Sequence, residues 1–162
     1  MLNDCKYGIS MRDNTLNLTL LRAAACPEMQ ADNGHHTFTY AVTCWDGSFL
    51  DSPVVREAAA LNVPCLVAEG IRESFSAFSV DTENILIDTV KPAEDGSGDL
   101  ILRVYEAKKA DTACNLLLGI PAGCVWECDM MENKLEELPL SENILPLHFH
   151  TFEVKTLRIE KA

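Results

Sequence analysis

Apolar and polar residues alternate along much of this chain, and the alternation predicts β-strands. Segment 14–22 places Leu16, Leu18 and Leu20 on one face, with polar residues between them. This pattern is typical of a half-buried strand. Segment 36–43 repeats the alternation and predicts a second strand after a polar loop.

The second half of the chain carries the same signal more densely. Turns rich in glycine, proline and acidic residues separate seven further predicted strands, at 75–80, 84–91, 99–107, 113–118, 124–130, 144–149 and 152–159. Many short strands with almost no helix between them predict a mainly β, antiparallel sandwich.

One short helix interrupts this pattern. The sequence VVREAAALN, Val54 to Asn62, has an alanine-rich middle that favours helix, and Pro64 ends it. Because the helix is short, we expect it to bridge two β units, with a domain boundary just after it, near residues 68–73.

The segment from Ser79 to Ala107 predicts a hairpin whose register can be specified. Asp88 is expected to oppose Arg103, which adds an opposite-charge pair of about 0.2–1 kcal/mol on the outer face. A one-residue slip would set Asp88 against an aliphatic side chain, so the pattern opposes it. The predicted pairs are Leu86–Tyr105, Ile87–Val104, Asp88–Arg103, Thr89–Leu102 and Val90–Ile101.

Composition narrows the possible functions. The 162 residues are 48% apolar and carry a net charge of −12, with no cluster of basic residues. A nucleic-acid-binding protein needs a basic surface, so this class is excluded, whereas a neutral sugar ligand is compatible. No segment is apolar enough to predict a membrane helix or a leader peptide. The chain opens on a strand or turn, so Met1 is interpreted as the start of a fragment.

Seven scattered cysteines predict reduced thiols used as small apolar side chains. Reduced thiols imply a reducing compartment, which predicts a cytoplasmic protein. Cys124 and Cys128 would lie roughly 13 Å apart on an extended strand, too far for a disulfide or a shared zinc ion.

Two histidine pairs are candidate metal ligands. His148 and His150 would share one face of a strand, a workable spacing for two ligands. No further ligand lies near them in sequence, so we interpret them as edge-strand histidines beside a turn. Adjacent His35 and His36 point opposite ways on an extended chain and are interpreted as a strand entry. The sequence thus predicts no metal site.

Aromatic and polar residues offer weaker candidates for ligand contact. Trp126 alternates with cysteines on a predicted strand and is interpreted as core, whereas Trp45 lies in a loop and suits an exposed contact. The segment Asn3–Gly8 gathers an amide, a carboxylate, an amine and a phenol within a few residues. A polar turn between strands is the alternative for this segment. The chain contains no P-loop, dinucleotide-binding or nucleophile-elbow motif.

Several segments together resemble the C-terminal β domain of glycoside hydrolase family 38 α-mannosidases, and they occur in family order across nearly the whole chain. They are LNDCKYG, NTLNLTLLR, ADNGHHTFTY, VVREAAALNVP, the hairpin segment 78–107, NKLEELP and FEVKTLRIE.

The resemblance implies a large multidomain parent enzyme that hydrolyses terminal α-mannosides with retention, through a zinc-containing catalytic barrel. Residues 1–70 would be the end of a mutarotase-like supersandwich with its bridging helix, and residues 71–162 a small terminal sandwich. No catalytic or zinc-binding motif matches here, so no catalytic residue, metal ligand or cofactor is assigned to this chain.

By the same resemblance, the loop containing Asn3, Asp4, Lys6 and Tyr7 is expected to approach the rim of the sugar site. The expected partners are the parent's catalytic and helical domains, mannose-containing glycans and a further copy of the protein, but neither nucleic acid nor membrane. Two other functions stay open: an independent carbohydrate-binding module, and a stand-alone enzyme such as an epimerase. The first needs exposed aromatic residues, and the second needs a central histidine–carboxylate pair.

Overall fold

A computed structural model of the chain describes residues 1–70 and 73–162. Two compact units are formed, Met1–Val67 and Ala68–Ala162. The predicted boundary between residues 70 and 71 involves residue 71, which lies outside the described residues. The assignment of the first unit to a supersandwich stays a prediction.

The first unit contains short strands and the predicted helix. Strand β1 pairs with β4, β2 pairs with β3 in a hairpin, and both pairs are antiparallel. A turn of 3-10 helix precedes the α-helix, whose bounds match the prediction. The elements are β1 (Leu2–Asn3), β2 (Ile9–Arg12), β3 (Thr15–Leu18), β4 (Tyr40–Ala41), the 3-10 turn (Phe49–Asp51) and α1 (Val54–Asn62).

The two strands predicted in this unit are shorter than expected. Segment 14–22 forms a strand only at Thr15–Leu18, and segment 36–43 only at Tyr40–Ala41. The pattern alone also missed β2, because its sequence ISMR is too short to establish a period. Asp13 adopts a left-handed backbone, with φ of 51°, in the two-residue turn that joins β2 to β3.

The second unit is an antiparallel β-sandwich. One sheet has the order β10–β9–β12–β7–β6 and the other has the order β11–β8–β5. The strands are β5 (Phe78–Val80), β6 (Ile85–Pro92), β7 (Leu100–Glu106), β8 (Thr112–Leu118), β9 (Val125–Cys128), β10 (Lys134–Leu138), β11 (Ile144–Phe149) and β12 (Val154–Ile159).

The inner faces of these two sheets form one apolar core. In β8 and β11 every second side chain is buried, which is the alternation that predicted those strands. The core is Ile85, Leu102, Val104, Cys114, Leu116, Leu118, Val125, Leu145, Leu147, Phe149, Leu157 and Ile159. The described residues contain one α-helix, so the predicted class, mainly antiparallel β with one short helix, is confirmed.

The predicted hairpin register is right at two of its five pairs. Leu86 opposes Tyr105 and Ile87 opposes Val104, as predicted. A bulge then shifts the pairing, so that Thr89, rather than Asp88, opposes Arg103. The pairs predicted beyond this point, Thr89–Leu102 and Val90–Ile101, are therefore wrong as well. Asp88 is exposed and accepts a hydrogen bond from the Thr89 hydroxyl at 2.7 Å.

Candidate functional site

The segment expected to approach a sugar is a tight polar turn after β1. The Asn3 carboxamide oxygen accepts the backbone N–H of Lys6 at 2.7 Å, and α1 reaches this segment through Asn62 Nδ2, which donates to the Asn3 carbonyl at 3.2 Å. Asp4 forms a reciprocal pair with Thr39: its N–H donates to the Thr39 carbonyl and its Oδ2 accepts the Thr39 N–H at 2.9 Å. The side chains of Asn3 and Asp4 therefore hold the turn in place.

These contacts also set the charge of the turn. The N–H that Thr39 donates to Asp4 favours the ionised carboxylate and lowers the pKa of Asp4 below its ordinary value. The neighbouring Lys6 ammonium lies 5.3 Å from the centre of the Phe38 ring. The turn thus carries an ionised carboxylate bound to the Thr39 backbone and an ammonium group placed over the Phe38 ring.

Beyond the turn, Lys6 and Tyr7 offer side chains to a ligand. Lys6 lines an open cleft of about 430 Å³, together with Gly8, Arg22 and His36 among others. Tyr7 is 85% exposed. The described geometry thus divides the predicted rim residues into two that build the turn, Asn3 and Asp4, and two that project from it.

The two tryptophans differ in their surroundings. Trp45 is partly exposed, but its indole N–H donates to the Ser48 carbonyl at 2.9 Å and its ring meets Phe49 edge-on. Trp126 was predicted to be core, and this is wrong. It lies half-buried on the outer face of its sheet, because the neighbouring Val125 takes the inward position, and Lys134 Nζ lies 4.9 Å from the Trp126 ring.

His148 and His150 share one face of the end of β11, as predicted, and the structure adds a carboxylate to them. Asp111, which directly precedes β8, places Oδ1 2.6 Å from His148 Nε2 and Oδ2 3.0 Å from His150 Nδ1. The two imidazole rings are 5.2 Å apart and nearly perpendicular. Sequence reasoning missed Asp111 because it lies 37 residues from His148.

The other histidine pair does not form such a group. His36 Nε2 lies 2.9 Å from the Asp32 carbonyl oxygen, in the loop before β4. The predicted start of a strand at His35 and His36 is wrong, because the strand begins only at Tyr40.

A buried carboxylate binds the backbone close in sequence to Asp111 and His150. Glu106, only 1% exposed at the end of β7, accepts the N–H groups of Lys108 at 2.6 Å and Phe152 at 3.0 Å. Asn84 Nδ2 donates to it at 3.1 Å. Burial raises the pKa of Glu106, but these hydrogen bonds, led by that of Phe152, outweigh it and leave the pKa below its ordinary value.

All seven cysteines are free thiols, four of them exposed in the first unit. No helix among residues 1–70 and 73–162 is long and apolar enough to cross a membrane.

Comparison with known proteins finds similarity between this chain and α-mannosidases. Residues 84–157 match the family model described as the glycosyl hydrolases family 38 C-terminal beta sandwich domain. Over 97% of its length the chain is 41% identical to Alpha-mannosidase 2C1 of Homo sapiens, and over 98% it is 34% identical to Alpha-mannosidase G of Dictyostelium discoideum. It spans only 16% and 15% of the lengths of these two relatives.

Proposed function

We propose that this chain is the non-catalytic end of an α-mannosidase, because residues 84–157 match the C-terminal beta sandwich domain of glycosyl hydrolases family 38. The whole protein hydrolyses terminal α-mannosides with retention, and this region supports its catalytic barrel. The zinc ion implied for such an enzyme belongs to that barrel. Since no zinc-binding motif of the family matches this chain, no catalytic step is assigned to it.

The observation that carries this proposal is the lack of a core in the first unit. Among its described residues only Leu2 and Ser52 are buried. One face of the β2–β3 hairpin is wholly apolar, because Ile9 opposes Leu18 and Met11 opposes Leu16. An apolar face of this kind marks a surface that another part of a protein covers.

We assign the cover to the remainder of the same protein. The relatives are about six times longer than this chain, since the chain spans 16% of the Homo sapiens protein. Met11 is 78% exposed on this face, whereas Ser10 on the opposite face opposes polar Asn17. Docking of the apolar face would remove Met11 from water and leave Ser10 in it.

The polar turn after β1 supplies the proposed contribution to the sugar site. Asn3 and Asp4 order the segment, while Lys6 and Tyr7 extend from it as a hydrogen-bond donor and an amphipathic ring. Neutral sugars are bound by this combination of stacking and hydrogen bonding. We further propose a cytoplasmic location, which the free thiols favour, and association with a second copy of the protein stays a prediction.

The test compares Met11→Asp with Ser10→Asp in the full-length protein. A buried unpaired carboxylate is strongly destabilising, so we expect Met11→Asp to lower the melting temperature and the hydrolysis of p-nitrophenyl α-mannoside. Ser10→Asp is the matched control and should change neither. In the isolated chain, Met11→Asp should leave the stability unchanged, because there the side chain already lies in water.

Two results would contradict the proposal. One is hydrolysis of p-nitrophenyl α-mannoside by the isolated chain. The other is full activity and unchanged stability of Met11→Asp in the full-length protein. Tight binding of mannose oligosaccharides by the isolated chain would instead favour the independent carbohydrate-binding module.

A further inference from the structure

We propose that Asp111, His148 and His150 form a binding site for a divalent transition-metal ion, with zinc as the best-fitting ion. This site lies in the β-sandwich of the second unit, Ala68–Ala162, called the terminal sandwich from here on. It is independent of the proposed α-mannosidase function and of the zinc implied for the catalytic barrel.

The sheet brings the three ligands together from two separate segments. β8 and β11 pair with His148 opposite Ala113 and Phe149 opposite Thr112. Asp111 directly precedes β8 at the same end of the sheet. One potential ligand atom from each of Asp111, His148 and His150 lies within 4.8 Å of the others.

The donor set selects the kind of ion. Two imidazole nitrogens and one carboxylate oxygen suit zinc and its neighbours in the first transition row, whereas magnesium and calcium prefer oxygen ligands throughout. Zinc bonds to nitrogen and carboxylate oxygen are about 2.0–2.2 Å long. The present nitrogen–oxygen contacts are 2.6 and 3.0 Å, so a small outward rotation of the side chains admits the ion.

Three protein ligands leave one tetrahedral position for water or another small donor. The side chains of Asp111, His148 and His150 are 62%, 52% and 75% exposed, so an ion can enter without opening the fold. The same exposure makes the fourth position accessible to solvent.

The backbone around the ligands is already fixed. Glu106 accepts the N–H of Lys108, in the segment leading to Asp111, and the N–H of Phe152, in the turn after His150. Glu153 accepts the N–H of His150 at 2.7 Å. Ligands held in place before the ion binds lose less conformational entropy on binding, which favours affinity.

Binding of the ion would join two elements that are otherwise held by sheet pairing. It would fasten the start of β8 to the turn after β11. An ion that binds only the folded state raises the stability of that state. We therefore expect zinc to raise the unfolding temperature of the terminal sandwich.

The experiment uses the full 162-residue chain without a histidine tag, stripped of metal and kept reduced with a phosphine. Exposed thiols also bind zinc, so every variant is made in a background that carries serine at Cys5, Cys26, Cys44 and Cys65. Zinc affinity is measured by competition with a chromophoric chelator. The test variants are His148→Ala and Asp111→Asn, and His35→Ala removes an exposed histidine as the matched control.

We expect the parent and His35→Ala to bind one zinc ion with the same affinity. Loss of a group that merely orients a ligand costs about 10–100-fold in affinity, so the two test variants should bind at least about tenfold more weakly. Zinc should also raise the unfolding temperature of the parent but not of His148→Ala, followed by Trp126 fluorescence with Trp45→Phe added to both proteins.

Equal zinc affinity in the parent, His148→Ala and Asp111→Asn would overturn the proposal, as would an unfolding temperature that zinc leaves unchanged. In either case the three side chains would be only a hydrogen-bonded surface cluster. Because all three are exposed, the variants are expected to fold, and their far-ultraviolet circular dichroism verifies this.

Discussion

Replacing Glu106 with glutamine tests whether a buried charge organises one end of the terminal sandwich. Glu106 Oε1 accepts hydrogen bonds from Lys108 N–H and Asn84 Nδ2, and Oε2 accepts one from Phe152 N–H. Glutamine has almost the same shape but only one acceptor oxygen. Its amide nitrogen must therefore face at least one of these donors.

The expected cost follows from these contacts. In the better orientation the glutamine oxygen still accepts hydrogen bonds from the Lys108 N–H and from Asn84 Nδ2. The Phe152 N–H then loses its acceptor, which costs about 1–3 kcal/mol. The two retained hydrogen bonds also become weaker, because their acceptor is no longer charged. The contribution of each to stability falls from about 1.5–3 kcal/mol to about 0.5–1.5 kcal/mol. The total is about 3–6 kcal/mol in the free energy of unfolding, against about 5–15 kcal/mol for a typical domain.

The difference between the two proteins should depend on pH. The pKa of Glu106 is lower in the folded state than its ordinary value, so its contribution is complete above the unfolded pKa of about 4.3. The contribution is lost as the pH falls through the folded pKa. Glu106→Gln does not titrate at this position, so the difference should be constant from about pH 6 to 8 and shrink below about pH 4.

Urea unfolding of the terminal sandwich measures this difference. Trp45 lies in the first unit and Trp126 in the second, so fluorescence in a Trp45→Phe background reports the second unit alone. Glu136→Gln, an exposed position on β10, is the matched control and should change the stability by less than about 0.5 kcal/mol. A Glu106→Gln protein as stable as its parent at pH 7 would refute the reasoning, because it would mean that an ionised carboxylate stabilises this position no more than a neutral amide does.

Three further substitutions test the sandwich by the same unfolding assay. Leu102→Ala empties a fully buried core position and should cost about 2–5 kcal/mol, and a cost under 1 kcal/mol would contradict the assigned core. Gly119→Ala places a Cβ 1.9 Å from the Ser76 carbonyl oxygen and should cost about 1–3 kcal/mol, whereas a neutral effect would show that this approach is not so close. Arg158→Met removes charged hydrogen bonds to the loop before β7, including the one from Nε to Asp99 at 2.8 Å. The substitution should lower the free energy of unfolding by about 1–3 kcal/mol. Unchanged stability would mean that the loop needs no cation.

The terminal sandwich was predictable from sequence because its strands are half-buried. Alternation over six or seven residues fixes both the strand and its inward face, as the bounds of β8 and β11 illustrate. β10 was missed because its sequence, KLEEL, is largely charged and exposed. A strand that buries little apolar surface leaves no periodic signal.

The register of the β6–β7 hairpin and the grouping of Asp111 with the two histidines depend on contacts that the alternation of apolar and polar residues does not encode. The bulge at Asp88 moves a single residue out of the pairing, and the charge pattern of the hairpin favoured the unbulged alternative. His148 and His150 were visible as a pair, but Asp111 joins them only through the pairing of β8 with β11. The first unit was the hardest to read, since its elements are short and its apolar residues mostly exposed.

The bulge at Asp88 has a consequence for how the protein behaves in concentrated solution. β6 is the last strand of its sheet, and a regular last strand offers unpaired backbone groups to a neighbouring molecule. The exposed, displaced Asp88 and the terminal Pro92 interrupt that row of groups. The other edge strand of this sheet, β10, carries the charged residues Lys134 and Glu136. On the second sheet, Pro146 removes a backbone donor from the edge strand β11. Each of these three edge strands is thus poorly suited to intermolecular strand addition, which disfavours edge-to-edge association through them.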